Sequence, residues 1–186
     1  MQETLSARDR ILATALRLFY RDGIRASGID RIIAESGVAK MSFYRHFPSK
    51  ADLVRAFLAA RHARWMGWFT AAVERRFDKE GFAAIAGALC EWFAEEDFRG
   101  CAFINTVAES GAEFPAAIEH KRELEAYIRG LAERLSLPSP VQLAAKAMIL
   151  VEGMIVRAQM GEIGDETGGL AEIAVQMFTD LTQSSR

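Results

Sequence analysis

The chain has 186 residues, with 23 Lys and Arg against 25 Asp and Glu, and 51% of it is hydrophobic. That balance excludes a disordered polyelectrolyte and leaves enough apolar material for one domain, or for a small head on a larger body. The longest uncharged apolar run, at 81–90, is far shorter than the ~18–20 residues of a membrane span.

The start of the chain, MQETLSARDR, is polar and lacks the apolar centre of a secretory signal. Cys90 and Cys101 form neither a disulfide framework nor a CxxC pair. A cytoplasmic protein with free thiols and no membrane partner is expected. The near-neutral total hides an asymmetry. Residues 1–64 hold twelve Lys and Arg against six Asp and Glu, whereas residues 65–186 hold eleven against nineteen. A basic head on an acidic body suits a polyanion-binding module, although chance segregation gives the same pattern.

In chain order, Ser6-x-x-Asp9 reads as a capping pair for a first helix. Ile11, Leu12, Ala15, Leu16, Leu18 and Phe19 form its core stripe, and Gly23 ends it. Ser27-x-x-Asp30 repeats the capping pattern for a second helix. A helix N-terminus also receives anions, so Ser27 is a candidate phosphate contact. Ile29, Ile32 and Ile33 line one helical face, and Gly37 follows with the conformational freedom to turn the chain. Val38 re-enters the core, and from Ala39 a third helix places Phe43 and Phe47 four apart before Pro48 stops it. Lys40, Met41, Ser42, Tyr44, Arg45 and His46 fill the other positions.

Helix, tight turn and helix, with a basic and aromatic outer face, is a shape that enters the DNA major groove. Lys and Arg neutralise phosphates or read guanine edges, and hydroxyls bond phosphates. On spacing alone an ordinary helical hairpin is an equal alternative. The full string GVAKMSFYRHFPSKADLV, with Phe19-Tyr20-Arg21-Asp22-Gly23 before it, resembles the DNA-binding signature of the TetR family of transcriptional regulators. The resemblance covers about 7–54. Ala39 stands where that family commonly has Ser, and Met41 where it commonly has Gly. Met41 in that place can offer a thymine methyl an apolar contact. The resemblance implies a DNA-binding head at 1–48 and an effector-binding and dimerisation body at 49–186. It implies DNA contacts from Ser27, Lys40, Met41, Ser42, Tyr44, Arg45, His46 and Lys50.

Ser49-x-x-Asp52 caps again, and apolar residues at threes and fours predict a long helix over about 50–76. Further helices are expected at about 80–96, 101–109 and 114–135. The wording Arg99-Gly100-Cys101-Ala102-Phe103-Ile104-Asn105 resembles the start of the sixth helix in many TetR-family bodies. Residues 141–160 are nearly apolar all round, which predicts burial on most sides and hence a partner. A Gly- and acid-rich turn is expected at 161–169, and a last stripe runs through Leu170, Ile173, Ala174, Met177, Phe178 and Leu181. Two such helices, about 141–160 and 168–182, can meet their symmetry mates as a four-helix bundle, as the resemblance implies for a homodimer. An intramolecular pair is the alternative. The whole reads as all-α, with about nine helices and no strand.

Catalytic signals are thin. His46, His62 and His120 have no metal-ligand spacing and read as surface residues, no GxSxG occurs, and no phosphate-cradling loop follows a strand. Neither enzyme activity, nor a metal, nor a cofactor is expected. Trp65, Phe69, Trp92 and Phe103, with Asn105 as a polar handle, have the composition of an effector pocket. Aromatic stripes at helical spacing also make plain core. The sequence thus predicts a ligand-responsive repressor that binds a near-palindromic operator as a homodimer. The alternative is an all-helical small-molecule-binding protein or enzyme without specific DNA binding.

Overall fold

The structure, a computed structural model, describes residues 5–111, 114–161 and 169–183. The protein is all-α. Among the described residues there are nine α-helices: α1 (Ala7–Asp22), α2 (Ile29–Ser36), α3 (Lys40–His46), α4 (Lys50–Glu80), α5 (Ala84–Phe93), α6 (Ala102–Ser110), α7 (Pro115–Arg134), α8 (Pro140–Gln159) and α9 (Gly169–Gln183). A 3-10 turn, Gly81–Ala83, precedes α5. The chain divides into two compact units: Met1–Arg64 with Cys101–Ile118, and Trp65–Gly100 with Glu119–Arg186.

The first unit begins with a side-chain cap. Ser6 Oγ accepts from the Asp9 backbone N–H at 3.2 Å and donates to Asp9 Oδ2 at 2.6 Å. This satisfies one of the orphan donors at a helix start. Ile11, Ala15, Leu18 and Phe19 turn their faces inward, and Phe19 meets Phe57 of α4 edge-on at 5.4 Å. Arg61 lies over the Tyr20 ring at 3.9 Å. The start of α4 is capped as the sequence predicts: Ser49 Oγ accepts from the Asp52 N–H at 3.1 Å.

The start of α2 differs from the sequence reading. Its N-cap is Gly28, with no side-chain cap bond. Ser27 is fully buried, and its hydroxyl donates to the Gly23 carbonyl at 2.7 Å. The Ser-x-x-Asp pattern therefore closes the α1–α2 turn instead of capping the helix.

In the second unit, Gly81 takes φ +55°, which ends α4 at Glu80 and splits the helix expected at about 80–96 into a 3-10 turn and α5. α5 is buried on most of its surface and packs against α8 and α9. Ile85, Leu89, Leu124 and Phe178 are fully buried. Glu74 accepts from both Arg134 guanidinium nitrogens at 2.6 and 3.0 Å and from the Tyr127 hydroxyl at 3.2 Å. The Arg134 hydrogen bonds hold the Glu74 carboxyl below its ordinary range.

α8 is not buried on most sides within one chain. Leu143, Ala147, Val151 and Ile155 are enclosed, but Val141, Ile149, Val156 and Met160 are exposed. α9 likewise exposes Ile173, Val175 and Met177. The expected turn at 161–169 lies almost wholly outside the described residues.

Candidate nucleic-acid interface

The site is built on α2, the turn after it and α3. Apolar residues of α2 fix its inner face, with Ile32 fully buried. Gly37 then takes the left-handed conformation, φ +64° and ψ +33°, and its N–H donates to the Ala34 carbonyl at 3.3 Å. Only glycine adopts that conformation without a Cβ penalty, which is why the helix stops there. Val38 is buried beyond the turn. α3 is anchored by Phe43, 0% exposed, and by Phe47, 3% exposed, with their ring centroids 6.4 Å apart.

That anchoring dictates what α3 shows to solvent. Lys40, Met41, Tyr44 and Arg45 are exposed, Met41 at 86%, while Ser42 and His46 are half-buried. Tyr44 is steadied by an edge-on contact with Phe43 at 5.3 Å. Lys40 Nζ lies 3.5 Å from Asp30 on α2, and Arg45 donates to Ser42 Oγ at 3.4 Å. These exposed contacts are weak. Of the eight predicted DNA contacts, six thus fall on α3. Ser27 is enclosed in the α1–α2 turn with its hydroxyl committed. Lys50, the first residue of α4, is half-buried. Its burial pushes the ammonium pKa down, and the Glu109 carboxylate opposes that shift.

Charge networks tie α1 to α2. Arg31 donates to Glu35 at 2.7 Å and to Asp22 at 2.8 Å, Arg17 donates to Glu35, and Arg21 holds Asp22 through two nitrogens at 2.7 and 2.9 Å. The Arg21 hydrogen bond is the main reason the Asp22 carboxyl is held at about 2.

One contact was not predicted. Glu109, on α6, accepts from the backbone N–H of Ile24 at 3.1 Å and of Arg25 at 2.7 Å. Its partners are 84 and 85 residues away, and no local pattern signals such a pairing.

The predicted effector residues separate. Trp65, Phe69 and Trp92 come together in the second unit. Trp65 stacks on Phe69 at 4.7 Å and meets Trp92 edge-on at 5.3 Å. His120 joins them, edge-on to Trp65 at 5.3 Å and 2% exposed, so it is a core residue and not the surface residue expected. The Trp65 indole N–H is buried without a hydrogen-bond partner among the described residues. Phe103 and Asn105 lie on α6 in the first unit. A surface groove lined by Arg122, Glu125, Ala126, Arg129, Val141 and Ala144 contains none of the five. No helix among the described residues is long and apolar enough to cross a membrane.

An all-helical chain whose N-terminal helices form a helix-turn-helix with an exposed basic and aromatic face defines a class. Comparison with known proteins shows what the head and the fold are similar to. Residues 11–57 match the family described as bacterial regulatory proteins, tetR family. The HTH-type transcriptional regulator LmrA of Bacillus subtilis is 48% identical over 42 residues, which are 23% of this chain and 22% of LmrA. The uncharacterized regulator YerO of the same organism is 43% identical over 47 residues, 25% of this chain and 16% of YerO. The alignments thus span about a fifth of the length of these curated relatives. Structural likeness extends much further. SCO4454, a TetR-family transcriptional regulator from Streptomyces coelicolor, superposes with a TM-score of 0.78 at 29% identity, over 96% of this chain and 87% of that one. The multidrug binding protein EbrR complexed with malachite green shares the fold, with a TM-score of 0.73 at 20% identity over 94% and 97% of the two chains. Residues 11–57 thus match the tetR family in sequence, and the chain shares its fold with the TetR-family regulator SCO4454.

Proposed function

We propose that this protein is a ligand-responsive transcriptional repressor that binds a near-palindromic DNA operator as a homodimer. The observation that carries the reading is α3: a helix pinned from behind by Phe43 that presents Lys40, Met41, Tyr44 and Arg45 outward. Residues 1–48 form the reading head and 49–186 the effector-binding and dimerisation body. Lys40 and Arg45 meet phosphates or guanine edges, and Tyr44, Ser42 and His46 donate to phosphates. Met41 packs on a thymine methyl. Lys50 joins from the start of α4. Ser27, whose hydroxyl is already bonded to Gly23, supports the turn instead of touching phosphate.

The dimer forms through α8 and α9. Their apolar residues Ile149, Val156 and Met160 with Ile173 and Met177 recur at helical spacing and are exposed. A two-fold four-helix bundle covers them and sets two heads about one helical turn apart on DNA. The effector site is the aromatic cluster of Trp65, Phe69 and Trp92 in the second unit. The bound malachite green of EbrR is consistent with an aromatic effector for a body of this fold. The protein acts in the cytoplasm, requires no cofactor or metal and catalyses no reaction.

The test is binding to mixed-sequence duplex DNA across a salt series. Counterion release predicts a log affinity that falls steeply and linearly with log salt. A flat salt dependence, or no binding by folded protein, contradicts the reading.

A further inference from the structure

The Glu109 carboxylate is fully occupied by the reading head. Its two oxygens receive two consecutive backbone N–H groups, those of Ile24 and Arg25, at 3.1 and 2.7 Å. These groups belong to the turn between α1 and α2, outside any helical ladder, so the carboxylate is what satisfies them. Charge-assisted bonds of this length are the strong kind. The approach is close. A Cβ on Gly23 would lie 3.0 Å from Glu109 Oε1, and Gly23 takes φ +90°. Glycine at this position therefore both turns the chain and admits the carboxylate. The same carboxylate favours the charged form of Lys50, the first residue of α4.

One side chain of α6 thus bonds the turn that enters α2 and acts electrostatically on the first residue of α4. The segment that carries it, Cys101–Ile118, packs with the head. Both of its ends run covalently into the second unit, at Gly100 and at Glu119. The head and the segment are joined by the carboxylate, and the segment and the second unit by peptide bonds.

We propose that Glu109 is a positioning residue for DNA readout: a latch that sets the α1–α2 turn, and with it the α2–α3 pair, according to where α6 stands. The proposal rests on the DNA-binding reading of α3. Any shift of α6 must either carry Ile24 and Arg25 along or leave their N–H groups unpaired.

The sign of the effect separates a latch from simple charge. Glu109 is an anion in a DNA-facing unit, so removing it by field effects alone tightens binding to a polyanion. A latch predicts the opposite. The experiment compares wild type, Glu109→Gln and Glu109→Ala for affinity to a duplex across a salt series, for hydrogen exchange at the Ile24 and Arg25 amides, and for thermal midpoint. Expected for Glu109→Ala is a loss of affinity of about tenfold at a temperature where the protein is folded, within the usual span of a coupling between sites. The salt slope stays unchanged, because no phosphate contact is removed. Exchange at Ile24 and Arg25 accelerates while that of α3 does not. Glu109→Gln keeps one carbonyl acceptor and its size, and falls between the two. It also serves as the folded variant if alanine unfolds the head.

Affinity that is unchanged or tighter in both variants, with Ile24 and Arg25 exchanging faster, overturns the latch. A parallel loss of salt slope overturns it too, because Glu109 then acts on phosphate contacts. Wild type that binds no duplex defeats the DNA-binding reading and this inference with it. That result is told apart from failure of the latch alone because there wild type binds and the variants match it.

Discussion

Met41 stands where the TetR-family pattern commonly has Gly, and it is the most exposed large apolar side chain on α3, at 86%. On the proposed function, this exposed thioether is free to meet an apolar group on a base edge. Met41→Ala is expected to relax the base preference at one position of each half-site and to leave the salt slope unchanged, as read by selection of duplexes with each protein. Lys40→Ala is expected to do the reverse: weaker binding to all sequences, with a slope shallower by about 0.9. Tyr44→Phe combined with Lys50→Ala is expected to lose DNA binding while the fold and dimer persist, as checked by circular dichroism and sedimentation. The exposed positions of α3, Lys40, Met41, Tyr44 and Arg45, were legible because the inward face is marked by Phe43 and Phe47. Ser27 was not, because a serine that caps a helix and one that closes the preceding turn share the same local string. Glu109 was invisible for a different reason: its partners are backbone groups 84 and 85 residues away.

Electrostatics at this scale gives a pH prediction. The Arg21 hydrogen bond, with a further one from Arg31, lowers the Asp22 carboxyl from 3.8 to about 2 in the folded protein. A depressed carboxylate contributes stability that is complete above the unfolded value and is lost as pH falls through the folded one. The Asp22 contribution is therefore lost between about pH 4 and pH 2. Acid unfolding monitored for wild type and Asp22→Asn should show curves that diverge above that window and converge below it. Curves that stay parallel throughout contradict the assignment.

Among elements, the α2–α3 pair is specified by one backbone conformation and two rings. Gly37 sits at φ +64° with open space where a Cβ would point, so Gly37→Ala carries a backbone penalty without a clash. Its expected cost is about 1 kcal/mol, read by denaturant unfolding. Phe43→Ala empties a fully buried site and is expected to cost about 3–5 kcal/mol. The periodicity of apolar residues made these helices, and most others, readable. Two features were hidden. The break after α4 depends on Gly81 adopting φ +55°, and a single glycine within an apolar stretch does not announce its dihedral angle. The apolar circumference of residues 141–160 suggested burial on most sides, yet composition cannot say which part of a helix is covered by its own chain and which by another. The aromatic stripe had the same ambiguity: Trp65, Phe69 and Trp92 cluster as an effector site or a plain core would, and His120 joins them from within the charged run Glu119 to Glu125.

For the whole molecule, symmetry and the reading of DNA are the same question. Ile149 is 73% exposed and Met160 72%, a costly arrangement for a lone chain and an ordinary one for half of a four-helix bundle. Ile149→Glu is expected to shift the protein to monomer in sedimentation velocity and to weaken operator binding far more than binding to mixed-sequence DNA. Specific binding needs both half-sites held at a fixed spacing, while the sequence-independent term needs only basic residues. The overall architecture was legible from the head inward: a long and specific string at the N-terminus, a capped connecting helix, then stripes of helical period. The packing of 101–118 with the head was not, because it depends on contacts made far across the chain.

The central claim is that this molecule reads a two-fold DNA sequence through α3. The most direct test is to present the folded protein with a pool of random duplexes at moderate salt, retain what binds, and sequence it. The account predicts enrichment of an inverted repeat whose half-sites lie about one helical turn apart, and loss of that enrichment with Tyr44→Phe plus Lys50→Ala. A retained pool with no enriched sequence, or one enriched equally by the double variant, contradicts it.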